Sequence, residues 1–498
     1  MQKKYLLSID EGTSSARAIL FDLEGKIVSV GRKSFEMYYP EAGWVEQNAL
    51  EILEAQKIAI QEAIHKAQIQ AHEILAIGIT NQRETIVCWN KETGLPIYNA
   101  IVWQDRRTTS FCEELKKQNL QNFIQSKTGL IIDPYFSASK LHWIFTYVPE
   151  AKKLLSENKL LWGTIDCWLV WNFTHRKTYA TDVTNASRTM LFNIHQLKWD
   201  SELMKIFQLE NAPEDFFPEV KNSSDFYGIY EDLQAPIYSV IGDQQSATFG
   251  QACFKEGMVK NTYGTGCFIL MNTGKVPYIS NHQLLTTIAW KIGEELTYAL
   301  EGAIFSAGAS IQWLEEIGIV KDVKELTELA ASIAENEGVY LVPAFAGLGA
   351  PQWDPTARGT ILGLTRGSTK AHLARAAIES MAFQSQEILE IMSLDSRIPI
   401  KELRVDGGAS QDPLLMQFQA DVSQVQILQP QNHETTALGA ALMAGLGIRH
   451  YKNLNEIQNL WKYKNSFFPQ KSPLWAQYQM KKWKKAVHRA LQWSEEIL

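Results

Sequence analysis

The chain opens with apolar runs and then a helical repeat. "YLLSID", from Tyr5, is apolar almost throughout, the pattern of a strand buried on both faces. "ARAILFD" predicts a second strand, "DLEG" (Asp22 to Gly25) a hairpin turn, and "KIVSVGRKSF" a third strand. Near Asn48 the spacing changes: Leu50, Leu53, Ile60, Ile64, Ala67 and Ala71 recur with a helical period. Asn48 and Glu51 stand three apart, as a capping box requires. "ILAIGIT", Ile74 to Thr80, returns to strand. The order is three strands, a helix and a strand.

The second half begins in a similar way. "GMVKNTYG" reads as a strand, "GTG" as a tight turn and "CFILMNTG" as a strand. "LTYALEG", Leu296 to Gly302, is another strand, and "IFSAGASIQWLEEIG" has a helical pattern. A hairpin with a Gly/Thr turn therefore starts each half. This predicts two related α/β domains, 1–250 and 251–498, with the boundary between Gln245 and Phe254. A cleft between two such domains suits a small-molecule site. "ETTALGAALMAGLG" is an Ala/Gly-rich helix, suited to close helix packing or to a sliding contact. "MKKWKKAVHRALQW", Met480 to Trp493, predicts a terminal helix packing its Trp face with Lys toward water, or else a membrane-surface helix.

Composition narrows the class. Of 498 residues, 45% are hydrophobic and 21% charged, as in a soluble globular protein. A formal net charge of -7 gives no overall attraction to nucleic acid or an acidic membrane. The five cysteines form no Cys-x-x-Cys pair, so neither a zinc site nor a disulfide framework is expected. No apolar run is long enough for a transmembrane helix, and the N-terminus lacks a signal-peptide core. A cytoplasmic location follows as the expectation.

The candidate chemistry lies where strands end. "DEGTSS" places Asp10 before Gly12, Thr13, Ser14 and Ser15. It reads as a plain hairpin turn or as a phosphate and metal site. No P-loop sequence occurs, so nucleotide phosphates would need another device. Two tight turns facing each other would serve, since backbone N–H groups form an anion nest and glycine permits close approach. Gly12 and Gly264 fit that use, with Thr13, Ser14 and Thr265 as hydroxyl donors. Asp10 could hold a hydrated magnesium ion. Asp243, after the apolar "VIG", reads as a helix cap or a general base. Arg83 and Glu84 would face opposite ways in a continuing strand, but could grip vicinal hydroxyls if the strand ends first. In "RVDGGASQD", Gly407 and Gly408 permit a turn or let a base or ribose lie on bare backbone.

Eight segments in order resemble the FGGY family of carbohydrate kinases, within the actin-like, ribonuclease H-like ATPase superfamily. They are "DEGTSSARAI", "GITNQRET", "NAIVWQDRRT", "GDQQSATFGQACF", "NTYGTGCFIL", "EGAIFSAGASIQWL", "GLGAPQWDPTARGTILGLTRG" and "RVDGGASQD", and they span almost the whole chain. "TNQRE" and "WQDRRT" resemble the members that act on glycerol rather than on xylulose, ribulose or gluconate. The resemblance implies two ribonuclease H-like (actin-like ATPase) domains flanking a catalytic cleft. It further implies ATP-dependent phosphorylation of glycerol to sn-glycerol 3-phosphate, with ATP and Mg2+. By resemblance, Asp243 is the catalytic base, and Arg83, Glu84, Tyr135, Asp243 and Gln244 bind glycerol. Trp103 and Phe268 form the wall against its carbon chain, and Asp10 and Asp243 are acids of the magnesium site. Thr13, Ser14, Ser15 and Arg17 match the first phosphate loop and Thr265 the second. Gly308, Gln312, Gly408 and Asp412 match nucleotide contacts. A homodimer or homotetramer is implied, with no nucleic-acid or membrane partner.

Two positions depart from the family pattern. Glu11 stands where Gln is usual and is expected to point away from the phosphate loop. Asp412 and Pro413 replace an Asn pair near the adenine. Two other readings stay open: a kinase of the same family for another polyol or ketose, and a non-catalytic actin-like ATPase.

Overall fold

Strands that are apolar on both faces need cover from two layers, and helices between parallel strands supply it. A computed structural model describes residues 4–345 and 347–494. Strands β1 (Tyr5–Glu11), β2 (Ser15–Asp22) and β3 (Ile27–Ser34) are followed by helix α1 (Ala49–Ala67) and strand β4 (Ile74–Asn81), in the expected order. Asn48 caps α1 by accepting from the backbone N–H groups of Leu50 and Glu51. Glu51, the expected return partner of the capping box, instead accepts from the Tyr38 hydroxyl at 2.8 Å. Strand β5 (Ala235–Gly242) runs directly into helix α2 (Asp243–Gly250). β1 pairs antiparallel with β2 and parallel with β4, and β4 pairs parallel with β5. The spatial order is β3-β2-β1-β4-β5.

The second half repeats this order. Strands β6 (Met258–Tyr263), β7 (Cys267–Gly274) and β8 (Glu295–Ile304) run antiparallel to one another in sequence. Helix α3 (Gly308–Glu316) follows β8. Strand β9 (Glu402–Asp406) pairs parallel with β6, helix α4 (Pro413–Ser423) follows, and strand β10 (Gln426–Pro430) pairs parallel with β9. The order β8-β7-β6-β9-β10 is the same permutation. The two units merge into one 13-stranded sheet. Their junction is the pairing of Ser224 with Ile292 on flanking strands Ser224–Tyr230 and Leu285–Ile292. The α/β class of two ribonuclease H-like units read from the sequence is observed.

Helix α5 (Thr435–Gly447) leaves the second unit and packs on β1, β4 and α2 of the first. A Cβ at Gly439 would sit 1.9 Å from the Ser246 carbonyl oxygen, and one at Gly250 would sit 2.0 Å from that of Thr435. A Cβ at Gly78 in β4 would lie 2.1 Å from the Ala440 carbonyl. The small residues of α5 therefore let backbone meet backbone, which is the close-packing reading of that segment. The terminal helix α6 (Pro473–Ala490) buries Trp483 in a stack on Phe383, with ring centroids 5.2 Å apart. The expected Trp face is only half correct, because α6 ends at Ala490 and Trp493 is 70% exposed. All five cysteines are buried and free. Among the described residues, no helix is long and apolar enough to cross a membrane.

The α2–α5 crossing tolerates no added atom. Gly439→Ala is expected to destabilise the protein by about 1–3 kcal/mol, the usual cost of overpacking, seen as a lower urea midpoint. Gly367→Ala, where the nearest atom is 3.8 Å away, should leave the midpoint unchanged.

Candidate active site

Register places the key residues at one sheet edge. Glu11 lies level with Asn81, and Asn81 with Gly242, so parallel strands β1, β4 and β5 end together. The loops beyond these ends carry the first hairpin, the Arg83–Glu84 pair and Asp243. Ligands of open α/β sheets bind outside such carboxyl ends. β4 stops at Asn81, and Glu84 adopts a left-handed φ of 63°. Strand alternation therefore does not separate Arg83 from Glu84, and both enter one buried network.

That network joins the two units. Arg83 makes a two-pronged contact with Glu301 of β8, at 2.7 and 2.9 Å. Arg188 donates to Glu84 at 2.6 Å and to Glu301 at 3.1 Å. Arg83 Nε also lies 3.0 Å from Asp243 Oδ1. Burial alone would raise the Glu301 pKa, but Arg188 and Arg83 outweigh it and hold it down at about 2. Glu84 is instead raised, because burial exceeds the pull of Arg188 and Arg83.

Asp243 opens helix α2 and remains about 30% exposed at the side chain. Its Oδ1 accepts from the Gln244 N–H at 2.7 Å, and its Oδ2 accepts from the Gln244 side-chain amide at 3.2 Å. Burial pushes its pKa upward, and Arg83, Lys260 and the Gln244 donors oppose that. A carboxylate so placed can accept a proton from a bound hydroxyl.

Aromatic rings form the adjoining wall. Trp103 meets Tyr135 edge-on at 5.5 Å and Phe268 of β7 at 6.4 Å. The Trp103 indole N–H donates to Thr13 Oγ1 at 3.0 Å, which ties this wall to the first hairpin. Lys140, fully buried, donates to the carbonyls of Pro134, Tyr135 and Phe136 at 2.5, 2.7 and 3.2 Å, bracing the turn that presents Tyr135.

The two hairpins have open tips. Gly12 N–H closes the first turn onto the Ser15 carbonyl at 3.1 Å, with Ser14 exposed between them and Ser15 buried in β2. Arg17, opposite Asp10 in the register, pairs with Asp10 and, at 2.6 Å, with Glu434 just before α5. The second tip, Gly264 and Thr265, is exposed. Its carbonyls accept from Gly308 and Ala309 at the start of α3, at 3.1 and 3.2 Å. Gly408 is exposed with open space around it. Gln312, exposed on α3, donates to Glu316 at 3.1 Å. Asp412 is already engaged: it caps α4 through Leu414 and Leu415 and accepts from Thr327 at 2.9 Å. Pro413 at the first position of α4 fits that capping role.

Asp10 turns toward Arg17, and Glu11, the next residue on the strand, is fully buried on the opposite face, as expected. Neither of its carboxyl oxygens has a hydrogen-bond partner. Burial, followed by the charge of Asp10, holds its pKa well above the ordinary 4.5.

Sequence reading missed Arg188, Glu301, Lys140, Lys260 and Glu434. Glu301 did leave a signal, an acid within the apolar run "LTYALEG" whose burial demands a cationic partner. Arg188 and Glu434 sit in segments with no comparable contrast.

A doubled β8-β7-β6-β9-β10-type sheet, with a tight hairpin opening each half, defines a two-unit, ribonuclease H-like fold. Residues 5–250 match the N-terminal domain of the FGGY family of carbohydrate kinases, and residues 259–448 match its C-terminal domain. The chain belongs to this family. It is 52% identical over 501 residues to a glycerol kinase of Burkholderia ambifaria, covering all of both chains. It is 51% identical to a glycerol kinase of Paraburkholderia phymatum, covering 99% of this chain and 100% of that one. A crystal structure of Plasmodium falciparum glycerol kinase with ADP is 36% identical with a TM-score of 0.93, covering 98% of this chain and 99% of that one. A Lactobacillus acidophilus xylulose kinase, at 22% identity and a TM-score of 0.85, shares the fold.

Two stability predictions follow from the buried carboxyls. Glu301→Gln leaves two buried arginines short of a counter-charge and should cost about 3–5 kcal/mol in a denaturant titration. In the wild type that contribution is complete above pH 4.5 and is lost as the pH falls toward about 2. Glu11 has the opposite sign. Its folded pKa lies above the unfolded 4.5, so the folded protein holds this proton more tightly and stability falls as the pH rises through 4.5. Glu11→Gln should raise the melting temperature, by a margin that widens from pH 4.5 upward.

Proposed function

We propose that this chain transfers the γ-phosphoryl group of ATP to glycerol, giving sn-glycerol 3-phosphate and ADP in glycerol catabolism. The carrying observation is the Asp243 carboxylate, held by Arg83 and Gln244 at the open edge of the cleft beside the Trp103–Tyr135–Phe268 wall. The 52% identity to glycerol kinases over the full length supports the choice of glycerol. The structure with ADP of the Plasmodium relative supports adenine nucleotide use.

In this reading Arg83, Glu84, Tyr135, Asp243 and Gln244 bind the glycerol hydroxyls, and Trp103 and Phe268 cover its carbons. Asp243 takes the proton of the attacking hydroxyl. That oxygen bonds to the γ-phosphorus as the bond to the bridging oxygen breaks, and ADP leaves. Such transfer has a loose transition state, so positioning and charge neutralisation dominate. Thr13, Ser14, Ser15 and Arg17 on one hairpin and Thr265 on the other hold the phosphates. Gly308, Gln312, Gly408 and Asp412 line the nucleotide side. Asp412 would act through its fixed helix-cap position rather than as a free amide-type contact.

Magnesium enters as part of the Mg-ATP substrate. Asp10 and Asp243 suit it: the ion takes one or two carboxylates and completes its shell with water and phosphate oxygens. Among the described residues no cluster of three or more acidic, His or Cys side chains could hold a metal unaided. Residues 1–250 would then carry glycerol and the first phosphate loop, and 251–498 the nucleotide. A cytoplasmic homodimer or homotetramer, without nucleic-acid or membrane partners, completes the proposal.

The test is glycerol-dependent ADP release with Mg-ATP, set against erythritol, xylulose and gluconate. Glycerol should be preferred. Asp243→Asn should lower turnover by about 10²–10⁴-fold, the usual range for general-base catalysis, while glycerol still raises its melting temperature. Near wild-type turnover in that variant would remove Asp243 from the role.

A further inference from the structure

Gln47 and Gln82 are buried polar side chains to which the transfer mechanism above gives no role. Gln47 precedes the Asn48 cap of α1, and Gln82 follows the last residue of β4. Both reach the backbone of the first hairpin. The Gln47 NH2 donates to the Thr13 carbonyl at 2.5 Å, and the Gln82 NH2 donates to the Gly12 carbonyl at 3.4 Å. A carbonyl only accepts, so each amide must present its NH2 end there. The Gln47 Oε1 is left for Gln82, whose NH2 reaches it at 2.9 Å. The Gln82 Oε1 accepts from Thr85 Oγ1 at 3.1 Å, and that oxygen accepts from the Trp103 backbone N–H at 3.1 Å. The Trp103 indole N–H closes the ring by donating to Thr13 Oγ1 at 3.0 Å. Reversing either amide would set two oxygens against each other, so the ring runs in one sense only.

The consequence lies on the other side of the hairpin. In a trans peptide the C=O and N–H of one plane point in opposite directions. Drawing the Gly12 carbonyl to Gln82 therefore turns the Thr13 N–H away from the buried amides. Drawing the Thr13 carbonyl to Gln47 does the same for the Ser14 N–H. Among the described residues, neither of these N–H groups has a hydrogen-bond partner. The Thr13 hydroxyl accepts from an indole N–H, which can only donate, so its own proton is left for a further acceptor. Successive N–H groups in a tight turn make an anion-binding concavity. We infer that Gln47 and Gln82 are positioning residues for the phosphates: they hold the hairpin carbonyls inward, so that the Thr13 and Ser14 N–H groups meet phosphate oxygens. This rests on the reading of the first hairpin as a phosphate loop, and it names what keeps that loop in its binding form. Because the ring passes through Trp103, one set of hydrogen bonds holds both the aromatic wall and the phosphate donors.

The test is equilibrium binding, so it does not depend on turnover. Wild type, Gln47→Met and Gln82→Met are titrated with the magnesium complex of imido-ATP, a non-hydrolysable analogue, and separately with adenosine and with glycerol. Gln47→Met keeps the length of the side chain and removes the donor to Thr13. It should weaken imido-ATP binding by about tenfold, the scale of one hydrogen bond to a charged group. Adenosine, which carries no phosphate, should bind as it does to wild type, and so should glycerol. Gln82→Met should weaken imido-ATP in the same direction. In steady state, Gln47→Met should raise KM for Mg-ATP and leave KM for glycerol unchanged. An unchanged imido-ATP affinity in Gln47→Met overturns the inference. So does an equal loss for all three ligands, which is the mark of general loosening. If Gln47→Met does not fold, Gln47→Leu is used with the same criteria. A wild type that binds imido-ATP but shows no glycerol-dependent ADP release counts against the functional reading alone, since the nucleotide comparison still decides the role of Gln47.

Discussion

Glu301 between Arg83 and Arg188 is the constraint on which the rest of the cleft depends. All three side chains are at most 2% exposed, so none can be solvated in place of its partner. An isolated charge in such surroundings is far too costly, and only the alternating set is tolerable. Glu301 comes from β8 in the second unit, while Arg83, Glu84 and Arg188 come from the first. The charges therefore fix how the two units meet beneath the site. Arg83 also reaches Asp243, so the same lattice that joins the units orients the proposed base.

The α2–α5 crossing supplies the second fixed point. Asp243 is the first residue of α2, and Gly250 at the other end of that helix packs on the Thr435 carbonyl. Moving α5 would move α2, and with it the carboxylate. Close backbone approach makes this coupling stiff, because a carbonyl oxygen cannot yield as a flexible side chain can. Asp406 adds a tie at the same level: it accepts from Gln251 just after α2 and from Thr435 at the start of α5. A short helix with little amphipathic character is thus held at both ends by the residues of the other unit.

Much of this was legible in the sequence, and the failures have a pattern. Strands, turns and the presence of a helix after Asn48 are local consequences of hydropathy and glycine placement, and they were legible. The inner face of that helix was not: α1 ends at Ala67, short of Ala71, and buries Ile52, Ala55, Ala59, Ile60 and Ala63 while Leu50 is exposed. The doubled arrangement was legible because each half opens with a Gly/Thr hairpin. Long-range partners were not legible. Nothing local distinguishes Arg188 from a surface arginine, or tells that Glu51 would find Tyr38 instead of closing a capping box. The Arg83–Glu84 pair was undecided for the same reason. Whether both side chains enter one network depends on β4 ending at Asn81 and on the left-handed backbone at Glu84. Glu301 is the instructive intermediate case, since its buried position was visible while its partners were not.

The electrostatics of the cleft follow from these pairings. Its arginines are already matched, Arg17 by Asp10 and Glu434, Arg83 and Arg188 by Glu301 and Glu84, and the buried Lys260 ammonium is taken up by Gln244, Thr262 and the Phe268 carbonyl. Together with a net charge of -7, this leaves no strong positive field to draw in a triphosphate from a distance. Affinity for phosphate must then come from short-range donors that are not already engaged. The exposed hairpin tips at Ser14 and Thr265 meet that condition, since tight turns present backbone N–H groups and hydroxyls without a counter-charge, whereas the Gly264 N–H is already given to the Gly266 carbonyl at 2.9 Å. Arg17 gives two N–H groups to Asp10 and Glu434, and its guanidinium, partly exposed, carries further donors. The fold thus commits its buried arginines to joining the two units, and the exposed hairpin tips are left as the parts of the cleft whose donors carry no counter-charge.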